Sequence, residues 1–71
     1  MRVKIKVENE AAGMAVFNAL VKHGATDCDS MLSICLEGKG LKNCFICIDS
    51  LIEKKTLKKL LKTWPWDVTV K

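Results

Sequence analysis

The chain has one arginine, one proline, one histidine and no long apolar run. Each scarcity excludes something. Sequence-specific DNA readers lean on bidentate arginine contacts, so a basic surface with Arg2 alone suits diffuse attraction better than base readout. A lone His23 adds nothing to a metal site. No apolar stretch approaches the roughly 18 residues that mark a membrane-spanning helix. Met1–Lys6 alternates apolar and basic side chains and lacks the continuous apolar stretch of a signal peptide. A cytoplasmic protein without membrane contact is therefore expected. Repeats, low-complexity tracts and linkers are also missing.

What remains is 71 residues with 12 basic and 8 acidic side chains, a formal net charge of +4. This is enough for a single domain spanning 1–71. A domain of that size buries only about 60% of the surface its unfolded chain exposes. It has little room for an enclosed active site, and function is expected on an outer surface.

Val3, Ile5 and Val7 alternate with Arg2, Lys4 and Lys6, which predicts a half-buried strand with one wet, basic side. Asn9 then caps a helix whose apolar stripe is Gly13, Met14, Phe17, Leu20 and Val21, ending at His23-Gly24. Leu32, Ile34 and Leu36 alternate on a second strand, and Cys44, Ile46 and Ile48 on a third, with both triplets expected to face the core. Between them Glu37–Leu41 reads as a hairpin connection with Gly40 in the left-handed region. Ser50 and Glu53 match a capping box for a second helix. That helix carries Leu57, Leu60, Leu61 and Trp64 on one stripe and stops at Pro65. Leu51 and Ile52 fit neither neighbour. Val68 and Val70 supply a last short strand, and Trp66 shares their parity.

The order is βαββαβ. The expected fold class is α+β, a ferredoxin-like two-layer sandwich of four antiparallel strands with both helices on one face. Right-handed crossovers put the first and third strands in the centre.

Cys44 and Cys47 form a CxxC match, which elsewhere marks zinc or thiol exchange. Within a strand, side chains three apart point to opposite faces, so both sulfurs cannot reach one metal. Cys28, Cys35, Cys44 and Cys47 are read as small, buried, reduced cysteines. No nucleophile–base pair, carboxylate pair or metal cluster is evident, so the chain is read as a non-enzyme without metal or cofactor.

Two surfaces remain as candidate binding sites. The helix-free sheet face is expected to carry Arg2, Lys4, Lys6, Met31 and Phe45. The outward side of the second helix carries Lys55, Lys58, Lys59 and Lys62. The sheet face lacks the aromatic pattern by which RNA-recognition domains stack bases. A protein partner fits it best, with a homodimer as a further option. The expected function is a small protein-binding module, an inhibitor or adaptor of a nucleic-acid-handling complex of the kind carried by phages and mobile elements. The alternatives are direct nonspecific nucleic-acid binding through the lysines, and a dimeric small-molecule-sensing βαββαβ module.

Overall fold

The alternation at the N-terminus becomes strand β1 (Arg2–Val7), with Val3, Ile5 and Val7 buried. The computed structural model describes residues 1–71, in the order β1, α1 (Glu10–His23), β2 (Thr26–Glu37), a 3-10 turn at Lys39–Leu41, β3 (Asn43–Ser50), α2 (Lys54–Lys62) and β4 (Thr69–Val70). The four strands form one antiparallel sheet ordered β2-β3-β1-β4. This is the expected α+β, ferredoxin-like arrangement, with β1 and β3 in the centre.

Local chemistry sets the element ends. The Asn9 side chain accepts a hydrogen bond from the Ala12 N–H at 2.8 Å and so satisfies one of the free donors of α1. Gly24 closes the helix at φ 83°, where its N–H meets the carbonyls of Leu20 and Val21. Gly40 takes φ 72° in the β2–β3 connection, as the hairpin reading requires. The stripe of α1 is Gly13, Val16, Phe17 and Leu20, and Met14 is exposed instead of buried. Gly13 faces the sheet. A Cβ there would lie 2.8 Å from Ile46 Cγ2 and 3.2 Å from Val7 Cγ2, so the missing side chain lets α1 sit close over β1 and β3.

Ser50 does not cap α2. It ends β3, where its hydroxyl donates to the Ile52 carbonyl at 2.7 Å and accepts from the Ile52 N–H at 3.2 Å. This local turn accounts for Leu51 and Ile52. They belong to neither element: Leu51 points into solvent while Ile52 packs on the core. Glu53 occupies the cap position of α2 without a side-chain hydrogen bond. Helix α2 buries Leu57 and Leu61, with Leu60 and Trp64 packed at the margin of the core. Trp64, edge-on to both His23 and Trp66, ties the end of α1 to the α2–β4 joint.

The core of 13 buried residues lies between the sheet and the two helices, centred on Ile5, Leu20, Ile46, Ile48 and Leu57. Each fully buried aliphatic side chain of this kind contributes about 2 kcal/mol through burial. No helix is long and apolar enough to cross a membrane.

Candidate functional site

Both helices cover the same side of the sheet, so the other side is a second surface built by strand parity. On β1 it presents Arg2, Lys4 and Lys6, paired across to Asp49, Cys47 and Phe45 of β3. On β2 it presents Ser33 and Cys35, opposite Cys47 and Phe45, and on β4 Thr69, opposite Lys6.

Met31 is not on this surface. The register runs from Met31 opposite Ile48 to Ser33 opposite Cys47, so β2 spends one residue more than β3 over that step. Such a bulge inverts the parity of the residues immediately before it, up to the second register shift between Thr26 and Met31. Met31 is thereby carried to the helix side, where it packs against the core. The same irregularity takes Leu32 out of register, while Leu36 keeps the parity of Ile34 but lies near the end of the outermost strand, so the expected triplet does not all sit in the core. Only Ile34 packs there, while Leu32 and Leu36 are 48% and 55% exposed.

Phe45 lies at the centre of the helix-free face, yet is only 6% exposed. Lys6 and Cys35 flank it across the strands, and Lys4 lies over it, with Nζ 4.4 Å from the ring centroid in a cation–π contact. Lys4 is held there by an ion pair with Glu37, and the Cys35 thiol donates to the same carboxylate oxygen at 3.5 Å. The Glu37 hydrogen bond raises the Lys4 pKa above the usual lysine value, and the lysine in turn holds Glu37 below the usual carboxylate range. Desolvation pushes the Cys35 thiol up, and the neighbouring Glu37 adds to that. Glu37 has no counterpart in the sequence reading of this face. It neutralises one of the three basic groups assigned to this face, leaving Arg2 and Lys6 without an ion pair. At the far end Asp49 pairs with the Met1 ammonium at 2.8 Å, which holds its carboxyl below the ordinary aspartate value.

The cysteines divide by position. Cys44 is buried on the helix side, and Cys47 is half-buried on the opposite face, so the CxxC sulfurs point apart. Cys35 is half-buried as well, and Cys28 is exposed. The expectation that all four are buried holds for Cys44 alone, because only its strand position lies under the helices. All four are free thiols. No three His, Cys, Asp or Glu side chains converge in a way that would hold a metal ion.

The second candidate surface lies on α2. Lys55, Lys58, Lys59 and Lys62 are exposed on α2, with Leu57 and Leu61 turned to the core. None of the four lysines has an acidic partner. Two open clefts adjoin this helix. One of about 440 Å³ lies between α2 and β4 and is walled by Trp64 and Trp66. Another of about 450 Å³ lies between His23 and Leu60. Neither contains a pair of carboxylates. Compared with protein-family models, curated proteins and solved structures, the chain shows no match.

Proposed function

We propose that the protein is a non-enzymatic binding module that offers its helix-free sheet face to a protein partner. The observation that carries this reading is Phe45. A large aromatic ring on a central strand faces away from the core, with the Lys4 ammonium over it and Lys6 and Cys35 as its cross-strand neighbours. Aromatic rings dominate the energetics of protein interfaces once water is excluded around them. A partner with an apolar side chain and a carboxylate would take the ring and Lys4 together. Arg2 and Lys6 at the margin favour an acidic partner surface and speed its approach. A more specific version is an inhibitor or adaptor that occupies a surface of a nucleic-acid-handling complex, as small phage and mobile-element proteins do.

The test compares partner recovery by affinity purification for three forms of the chain. Phe45→Ser and Lys4→Glu should each abolish recovery, and a Lys55→Glu/Lys58→Glu/Lys59→Glu/Lys62→Glu form should retain it. Recovery that survives both sheet-face changes refutes the proposal.

A second reading rests on the four unpaired lysines of α2, which suit direct nonspecific binding to nucleic acid. It requires affinity that falls steeply with salt, in proportion to the phosphates neutralised. Binding unchanged by the four-glutamate form would eliminate it.

A further inference from the structure

Strand β2 is the outermost strand and pairs only with β3. Its other edge presents backbone N–H and C=O groups toward solvent, a template for another strand. Proteins guard such edges with lysine, proline, bulges or very short strands. The opposite edge of the sheet is guarded in this way: β4 has two residues and is followed by Lys71. Within Thr26–Glu37 there is no lysine and no proline. The register shifts of β2 all fall before Ser33, so the run Ser33–Glu37 stays in regular register with β3 and its outer edge stays open.

Two further features mark this edge. Leu32 and Leu36 are exposed on it, beside the half-buried Ile34. Its charges are also polarised: exposed Asp27 and Asp29 precede the regular run, and exposed Lys39 and Lys42 follow it in the turn. The strand itself ends in Glu37, which Lys4 neutralises, so the segment from Asp27 to Lys42 is acidic at one end and basic in the turn beyond the other, and complements itself when reversed.

We propose that β2 pairs with β2 of a second copy of this chain, antiparallel about a two-fold axis at Cys35. In this register Ile34 lies opposite Leu36 of the second copy, and the symmetric contact repeats it, with Leu32 at the rim. Asp27 and Asp29 run alongside Lys39 and Lys42 of the second copy. The contact is isologous and closes at two chains, joining two four-stranded sheets into one continuous sheet. An extended segment of a different protein would need the same polarity of charge, whereas a second copy supplies it without further assumption. This inference is independent of the partner assigned to the Phe45 face.

Sedimentation velocity of the full chain over a wide concentration range tests it. The wild type should shift from one chain to two as concentration rises. Leu36→Lys should weaken association at least about tenfold by placing a charge opposite Ile34. Its circular dichroism should be unchanged, because Leu36 is already half-exposed. Asp27→Lys/Asp29→Lys and Lys39→Glu/Lys42→Glu should each weaken self-association about tenfold, as like charges oppose across the strands. Mixing these two forms should restore dimers, since each then meets its opposite. A chain that stays monomeric up to its solubility limit overturns the proposal. So does a dimer indifferent to Leu36→Lys, or a mixture of the charge variants that fails to recover. If Leu36→Lys unfolds the chain, the mixing experiment decides alone.

Discussion

Replacing Gly13 by alanine sets two effects of known size against each other. In the interior of a helix, glycine is about 1 kcal/mol less favourable than alanine, so propensity alone makes Gly13→Ala stabilising by that amount. Contact geometry opposes it. The new Cβ would stand 2.8 Å from Ile46 Cγ2 and 3.2 Å from Val7 Cγ2. Carbon atoms rest comfortably about 3.5–4.0 Å apart. Neither neighbour has a flexible end to swing away: both are β-branched, and Ile46 is fully buried. Helix α1 would have to lift from the sheet, loosening Val16, Phe17 and Leu20. Overpacking of this kind costs about 1–3 kcal/mol, so the net expectation is a loss of about 1 kcal/mol. For a domain of this size that lowers Tm by roughly 4–8 °C. Urea unfolding followed by Trp64 and Trp66 fluorescence measures it. Ala15→Gly in the same helix serves as a control for propensity and should cost about 1 kcal/mol. Ile46→Ala removes the clashing methyl and should be less damaging by about 1 kcal/mol in the Gly13→Ala background than alone. A Gly13→Ala chain that gains about 1 kcal/mol, as propensity alone requires, refutes the close seating of α1.

Other expectations are simpler. Gly24→Ala should cost about 1 kcal/mol in the same urea assay, because φ 83° is strained for any residue with a Cβ although the space beside Gly24 is empty. Gly24→Asn should recover part of that loss. Since Glu37 titrates below its ordinary value in the folded chain, its contribution is present above that value and is lost as pH falls through the folded one. Asp49 adds to the same acid limb. Lys4, raised above its ordinary value, contributes fully below it and loses its contribution as pH rises through the folded value. A Glu37→Gln chain should therefore melt below the wild type near neutrality, and the gap should close as the solution is acidified; a gap constant with pH contradicts the ion pair. In thiol labelling of the native chain, Cys28 should react first and Cys44 only on unfolding, with Cys35 slowed by its raised pKa. Mass mapping of the labelled sites decides the order, and early labelling of Cys44 would contradict its place under α1.

Much of this architecture is legible in the sequence because each element announces itself locally. Alternation at Val3–Val7 marks β1, Asn9 and Gly24 bracket α1, and the Leu57–Leu61 spacing marks α2. Handedness of the crossovers then places the central strands. What is not legible depends on backbone register. The bulge before Ser33 leaves no trace in composition, yet it moves Met31 to the other side of the sheet and leaves Leu32 in solvent, while Leu36 is exposed because it lies near the end of the outermost strand. Ser50 was ambiguous for a different reason: the same hydroxyl serves a helix cap or a strand-ending turn, and only the chain path after Ile52 chooses. The Lys4–Glu37 pair could not be read at all, since it joins residues that become neighbours only once β3 has been inserted between their strands.

The central position of β1 has a bearing on synthesis. Val3, Ile5 and Val7 leave the ribosome well before the strand they pair with, β3, which begins only at Asn43. Until then a β-prone apolar segment waits unpaired, the condition in which chains stick to one another. Arg2, Lys4 and Lys6 interrupt that segment at every second residue, and charges so placed oppose intermolecular stacking. In the nascent chain these three side chains act as gatekeepers. Only later does Lys4 take up its post over Phe45.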